Sequence, residues 1–220
     1  MKKIISFSLI ILGLAFITKA QTEVIDLSGD GVKCFLNKVG RYYFADSITK
    51  KPINKKTYTQ KPVSGYANGF AILQNDDGDM FFVKKNGTES PRFFHISPFS
   101  EGVAAVVEIN GEGLAFHIDT NWVPIYKEKY ELVGDYHKGF VVVQDSEVKK
   151  FFFIDKSGEP LRSSLNGDII AFSKRPPDFD SNGVVTIENK KTVLKLIVKD
   201  DGEVKFTMAP TVKKELKNQN

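Results

Sequence analysis

GFAILQNDDGDMFFV, residues 69–83, consists of two short apolar runs joined by a polar turn. Runs of about four to six β-branched and aromatic residues are typical of β-strands. Asn, Asp and Gly between two such runs accept the backbone conformations of a tight turn. The stretch therefore predicts a β-hairpin that begins at a glycine.

The same arrangement recurs at intervals of roughly 33 to 44 residues, which indicates a repeat protein. Apolar runs begin at a glycine at 31–35, 69–73, 102–107, 139–143 and 183–187, and second runs follow at 42–44, 80–83, 114–118, 151–154 and 193–198. Weaker third runs lie at 51–53, 92–94, 122–125, 159–161 and 203–206. Proline recurs in these third runs and places them at sheet edges, because it cannot donate to a ladder. We predict an all-β fold with almost no helix, in which about five antiparallel three-stranded meanders pack into one domain.

Short motifs recur in the two central units. They are Phe99-Ser100-Glu101-Gly102, Ile118-Asp119 followed by Val123-Pro124, and residues 150–155 followed by Gly158. These motifs resemble the WG (KWG) repeats of bacterial proteins, most clearly over residues 69–161, although no Trp-Gly dipeptide occurs in the chain. The resemblance implies a repetitive β fold with a binding or structural role and generally no assigned catalysis.

The N-terminus has the layout of a secretory signal peptide. Lys2 and Lys3 precede an apolar run over residues 4–18, and the small or short side chains of Thr18 and Ala20 suit a signal peptidase site. We predict cleavage between Ala20 and Gln21. The alternative is a membrane anchor, but the run is shorter than the about 20 apolar residues that a spanning helix needs.

This leader predicts an exported bacterial protein that works in the periplasm, at the outer surface or outside the cell. The β-repeat domain is expected over residues 21–210, without a membrane span, and the Lys-rich tail 211–220 is expected to be disordered. The whole chain carries a net charge of +4, and loss of the three leader lysines leaves about +1. A nearly neutral domain does not favour a nucleic-acid partner.

The polar residues form no recognised catalytic or metal-binding motif. His95, His117 and His137 lack the spacing of metal ligands, and no nucleophile elbow or phosphate-binding loop is present. The acidic run 76–79 is compatible with calcium, but it fits a hairpin turn better because an EF-hand loop needs a Glu where Gly87 stands. We predict no cofactor, no metal and no enzymatic activity. The alternative is a hydrolase-type envelope enzyme whose carboxylates come from distant positions.

Five lysines form the one local basic stretch: Lys50, Lys51, Lys55, Lys56 and Lys61, with no acidic residue between Asp46 and Asp76. Clustered lysines attract polyanions such as an acidic surface glycan. They also protect an exposed sheet edge from pairing with another chain, which is the alternative.

Four aromatic residues are further candidates for a ligand surface: Trp122, Tyr126, Tyr130 and Tyr136. Their rings suit a carbohydrate or peptide surface as well as a protein core. Together these features predict a non-enzymatic binding or interaction module that meets an unidentified protein or glycan at the cell envelope. A purely structural envelope component is the other alternative.

Overall fold

The computed structural model describes residues 23–163, 166–188, 192–199 and 203–210. The predicted leader with its cleavage site at Ala20 and Gln21 lies outside these ranges, as does the predicted tail 211–220. All regular structure in the described residues is β-strand, and no helix among them could cross a membrane.

Five small antiparallel sheets follow one another along the chain. The first contains β1 (Glu23–Gly29), β2 (Val32–Leu36) and β3 (Tyr42–Asp46), and the second contains β4 (Phe70–Gln74) and β5 (Met80–Lys84). The third contains β6 (His95–Ile96), β7 (Val103–Val107) and β8 (Ala115–Asp119). The fourth has β9 (Leu132–Val133), β10 (Phe140–Gln144), β11 (Phe151–Asp155) and β12 (Ala171–Phe172), in the order β12-β11-β10-β9. The fifth contains β13 (Val184–Glu188), β14 (Thr192–Val198) and β15 (Val204–Pro210).

The all-β class and the repeated hairpins are therefore confirmed, but the third strand is reduced in four of the five units. Pro52, Pro124 and Pro160 make single β-bridges to the preceding strand, as does Phe93 in the second unit. Proline removes the backbone donor that would extend these bridges into a ladder. Only in the fifth unit does the third run form a full strand, β15, which pairs with β14 along its whole length.

Two-residue turns with positive φ open the first four hairpins. Their central residues are Asp30-Gly31, Asn68-Gly69, Glu101-Gly102 and Lys138-Gly139. In the third unit, φ is 49° at Glu101 and 84° at Gly102, and Ser100 and Val103 exchange backbone hydrogen bonds of 2.8 and 3.0 Å. Positive φ at both central residues defines the turn whose twist matches a β-hairpin. The leading glycine of each unit thus sets the start of its strand.

Side chains of these turns also connect successive units. The Glu101 carboxylate accepts hydrogen bonds from the backbone N–H groups of Lys138 and Gly139 at 2.6 and 2.9 Å. In the same way, Asp30 accepts from the Gly69 N–H at 2.6 Å. Asn68 donates to the Phe99 carbonyl at 2.9 Å. The opening turns of the first four units therefore form a chain of polar contacts along one end of the sheets.

The middle sheets are buried on both faces. In β4, Ala71 and Leu73 pack against the first sheet, whereas Phe70 and Ile72 pack toward the third. In the fourth sheet, Val141 faces the third sheet and Val142 faces the fifth. Continuous apolar runs are required wherever both faces of a strand are covered. The core consequently lies between consecutive sheets.

The outer face of the last sheet carries a polar row, whereas the face of the first sheet that bears Lys33 is mixed, because Phe35 and Ala45 on the same face are buried. Lys33 occupies the β2 position that corresponds to the buried residues Ala71, Ala104, Val141 and Val185. On the last sheet, Thr186, Lys195 and Thr207 form an exposed cross-strand row. The last sheet thus presents a polar row to solvent.

Substitution of Gly102 tests the conformational requirement of the opening turn. A Cβ at Gly102 would meet no atom within 4 Å, so the cost of a side chain comes from its φ of +84°. We expect Gly102→Val to lower the free energy of unfolding by more than about 1 kcal/mol. Gly102→Asn should lower it less, because Asn tolerates positive φ. Denaturant titrations measure both, and equal midpoints for the parent and the Val variant would contradict the assignment.

Candidate functional site

Grooves of common construction lie beside the second strand of several hairpins. In the first unit, the segment after β3 bridges back to that strand at Pro52 and again at Tyr58, and the residues between the two bridges bulge outward. The third unit repeats this pattern, with bridges at Pro124 and Tyr130. Each bulge leaves a shallow groove whose floor includes the second residue of the neighbouring strand. A further groove lies beside Phe152 in the fourth unit. We name the three the first, third and fourth grooves after the units whose strand residue forms the floor.

The first groove has a volume of about 480 Å³. It is lined by Asn37, Tyr43, Pro52, Asn54, Lys55, Lys56 and Thr57. Tyr43 is half-buried, and its ring stacks on Phe35 with a centroid distance of 5.5 Å. An aromatic floor and two lysines therefore face the same groove.

Hydrogen bonds hold the wall of the first groove in place. The Asn54 side-chain oxygen accepts from the Lys56 backbone N–H at 2.8 Å, and its amide nitrogen donates to the Lys85 carbonyl at 3.1 Å. Arg41 donates through Nε to the Thr57 hydroxyl at 2.9 Å. The bulged segment is thus tied to the second unit and to the turn before β3, which preorganises the groove.

The structure divides the basic stretch. Lys55 and Lys56 line the first groove, but Lys50, Lys51 and Lys61 do not. The Lys50 ammonium lies 6.0 Å from the Phe35 ring centroid, and Lys61 lies near Cys34. Lys56 also pairs with Glu89 at 3.3 Å. The five lysines do not line one common groove.

The third and fourth grooves lie on opposite sides of residues 125–128, which line both of them. The third groove, about 500 Å³, has Phe116 on its floor. Lys129 extends over the Phe116 ring at 5.7 Å and pairs with Glu108 at 2.7 Å. The fourth groove, about 580 Å³, includes Phe152 and Tyr130 together with three carboxylates, those of Glu128, Asp145 and Glu159.

In the second unit, the aromatic ring at the equivalent floor position is covered by a side chain of the same unit. The Arg92 guanidinium lies 3.6 Å from the centroid of the Phe81 ring and pairs with Glu89 at 2.8 Å. Phe81 is the second residue of β5, as Phe116 is of β8 and Phe152 of β11. The floor of the groove is thus aromatic in every unit from the first to the fourth, while the charges around it differ.

The tyrosines proposed as a ligand surface are core residues, which corrects that interpretation. Tyr126, Tyr130 and Tyr136 are buried, and the Tyr136 hydroxyl donates to the Asp155 carbonyl at 2.9 Å. Trp122 is half-buried and stacks on Phe82 with a centroid distance of 5.8 Å. Aromatic rings from the connecting segments fill the space between sheets, and only the edges of Tyr126 and Tyr130 reach the grooves.

Other polar candidates have structural roles. Residues 75–79 form a hairpin turn, in which the Asp79 N–H donates to the Asn75 side chain at 2.8 Å. The Cys34 thiol is buried, and burial raises its pKa to about 11. Within the ranges that the structure describes, no three His, Cys, Asp or Glu side chains converge as metal ligands.

His117 is a buried neutral imidazole. Its Nε2–H donates to the Gly134 carbonyl at 2.9 Å, because a carbonyl only accepts, and Nδ1 accepts from the Tyr126 hydroxyl at 2.6 Å. Burial lowers the pKa of His117 to about 4. The contacts connect the third unit to the start of the fourth.

One signal that could have located the grooves is the proline that follows the aromatic floor residue by eight or nine residues in the first, third and fourth units. At the level of sequence, these prolines indicated only a sheet edge. The bulge itself depends on a second bridge six residues after the proline, at Tyr58 or Tyr130. Residues 52–58 and 124–130 share the pattern Pro-Ile-x-Lys-x-x-Tyr, which is a second signal in the sequence.

Comparison with known proteins assigns no family to this chain. No family model matches this sequence, and no curated protein matches it. Hsv2 of Kluyveromyces marxianus is similar in structure, with 14% identity, a TM-score of 0.45, and coverage of 81% of this chain and 64% of that chain. BamB of Moraxella catarrhalis has 11% identity, a TM-score of 0.37, and coverage of 84% and 72%. The computationally designed protein Ika8 has 13% identity, a TM-score of 0.37, and coverage of 83% and 56%.

This chain is an all-β repeat protein whose sheets carry grooves at their edges. The chain spans 64% of the Hsv2 structure that it matches.

The buried His117 gives the protein a specific pH dependence. Its folded-state pKa of about 4 lies below the 6.5 of an unperturbed histidine, so unfolding takes up a proton between these values. The free energy of unfolding should therefore fall as the pH drops from 6.5 toward 4, by about 3 kcal/mol from this residue.

Denaturant titrations at several pH values measure this contribution. His117→Gln should remove most of the slope in that window, whereas His137→Gln, at an exposed position, should retain it. An unchanged slope in the His117 variant would show that another group is responsible.

Proposed function

We propose that this protein is a non-catalytic binding module of the cell envelope and that its first groove binds the anionic group of an acidic glycan. The observation that carries the proposal is the convergence of Lys55, Lys56 and the Tyr43 ring on one preorganised groove. The all-β repeat fold is compatible with such a role, and the predicted leader supports an exported location. The resemblance to WG repeats adds a family proposal consistent with binding.

The charges around the first groove favour an anion. Lys55 has no ion-pair partner among the described residues, and Lys56 shares Glu89 with Arg92. Among the described residues, no carboxylate lines the groove. Two ammonium groups on one wall raise the local concentration of anions, and a ligand carboxylate, sulfate or phosphate would complete their pairing.

The remaining lining favours a sugar over a simple anion. The half-buried Tyr43 ring offers an apolar surface on which the face of a sugar ring can pack. Asn37 and Thr57 place an amide and a hydroxyl beside it for hydrogen bonds to sugar hydroxyls. An aromatic floor with a few polar groups at its border is the usual composition of a small-ligand site.

The WG-repeat proposal is supported by the role of the Ile-Asp motifs. The Asp119 carboxylate accepts from the backbone N–H groups of Asn121 and Val123, at 2.7 and 2.9 Å. Asp155 accepts from Ser157 and Glu159 at 2.8 and 3.0 Å. The aspartate that ends the second strand thus closes the following turn in both central units.

Retention on an anionic-glycan column tests the ligand class. Lys55→Gln with Lys56→Gln should elute at clearly lower salt than the parent, because two cations are lost from the groove. Lys195→Gln with Lys205→Gln, exposed on the last sheet, is the control with the same loss of charge. The proposal fails if the two double variants elute at the same salt concentration.

The Tyr43→Ala variant distinguishes binding of a glycan from binding of any polyanion. Its retention on the glycan column should fall, while its retention on a sulfonate resin stays at the parental value, since only a sugar ring uses the aromatic face. Equal retention of parent and variant on the glycan would remove the sugar from the proposal.

A further inference from the structure

The fourth groove combines aromatic rings with an excess of negative charge. Its lining contains the carboxylates of Glu128, Asp145 and Glu159, against Lys127 as the one cation. The Glu128 and Glu159 side chains are exposed and have no ion-pair partner among the described residues. The groove therefore has about two uncompensated negative charges.

The Tyr130 hydroxyl is a polar group of this groove. Tyr130 is only 6% exposed and lines the groove, and none of the hydrogen bonds among the described residues involves its hydroxyl. Burial raises the pKa of Tyr130 to about 12, and the nearby charges of Glu128, Asp145 and Glu159 act in the same direction. The hydroxyl therefore stays protonated and is available to a ligand in the groove.

The aromatic side of the groove suits a cation as well. The rings of Tyr130 and Phe152 meet edge to face at a centroid distance of 5.9 Å. Phe152 is half-buried, and no cationic side chain of the described residues lies over its ring. The face of an aromatic ring attracts cations through its quadrupole.

In two other units, the ring equivalent to Phe152 is covered by a cationic side chain. In the second unit, Arg92 lies over the equivalent ring, Phe81, and pairs with Glu89. In the third unit, Lys129 lies over Phe116 and pairs with Glu108. Both equivalents thus contain a cation of the chain itself between an aromatic face and a carboxylate. The fourth groove has the ring and the carboxylates, but no cation of the described residues lies over its ring.

The arrangement of the acidic groups favours an organic cation over a metal ion as the ligand of the fourth groove. Among the residues that the structure describes, these carboxylates do not converge closely enough to hold a metal ion together. One of them, Asp145, is fixed by accepting the backbone N–H groups of Glu147 and Val148, each at 2.8 Å. Carboxylates spread around a groove of about 580 Å³ suit a larger organic cation with several donors.

We propose that the fourth groove binds an arginine side chain of a basic peptide segment on a partner protein. The guanidinium stacks on Phe152, donates to Glu128 and Glu159, and reaches the Tyr130 hydroxyl, as Arg92 stacks on Phe81 in the second unit. This site is separate from the anion-binding first groove and takes a ligand of opposite charge.

Titration of the ¹⁵N-labelled protein with acetyl-Gly-Arg-Gly-amide tests this site. The chemical shifts of Glu128, Phe152 and Glu159 should move, and the lysine analogue should bind more weakly because it lacks the planar fork of donors. The glutamine analogue should cause no shifts there. Equal shifts with the arginine and glutamine peptides, or no shifts at these residues, would overturn the proposal.

Charge variants sharpen the test. Glu128→Gln with Glu159→Gln should weaken arginine-peptide binding by about fivefold or more, from two lost charge pairs. Glu112→Gln with Glu188→Gln, exposed in other units, is the matched control and should bind as the parent does. Tyr130→Phe should weaken binding by a smaller factor. Parental affinity in the Glu128/Glu159 variant would overturn the assignment.

The Lys55→Gln and Lys56→Gln variant distinguishes this site from the first groove. It should bind the arginine peptide with parental affinity even if it no longer binds the acidic glycan. Loss of arginine binding in this variant would contradict a separate fourth-groove site.

Discussion

Burial of both faces of the middle sheets is the constraint on which the structure depends. The second sheet has only two strands, and its alternate side chains pack into two different clusters, with Ala71 and Leu73 on one side and Phe70 and Ile72 on the other. A two-stranded sheet has no stable existence by itself in water. Each unit therefore depends on its neighbours, and the last sheet presents an exposed polar row at Thr186, Lys195 and Thr207.

This constraint determines where ligands can bind. Strand residues of the middle sheets are buried in the core. Substitutions without loss of stability are therefore confined to turns and connecting segments. The connecting segments after the second strands bulge outward beyond their prolines. Each bulge lies next to an aromatic strand residue that forms the floor of a groove. The same scaffold thus offers a basic groove at Lys55 and Lys56 and an acidic one at Glu128 and Glu159. The contacts of Arg41 and Asn54 show that the walls are fixed by hydrogen bonds.

Sequence reasoning predicted the parts of this structure that depend on local chemistry. The glycine before each first strand and the Asn-Asp-Asp-Gly turn at residues 75–78 favour hairpins through their local backbone conformation. Burial of Tyr126, Tyr130 and Tyr136 was one of two alternatives, because aromatic spacing in a connecting segment does not reveal which sheets enclose it. The lysine stretch was recognised, but its division between the first groove and other surfaces depends on a bulge between two bridges. The fourth groove joins residues from three turns and could not be predicted from one local pattern.

Native-state hydrogen exchange in low denaturant tests most directly whether the sheets form one cooperative array. Amides from the centres of different sheets, such as those of Leu73, Val106 and Val142, are buried in separate strands. The account predicts that they exchange through a common opening, with the same free energy and the same denaturant dependence as global unfolding. Sheet-by-sheet exchange with distinct free energies would contradict it and would mean that the grooves lie on independent units.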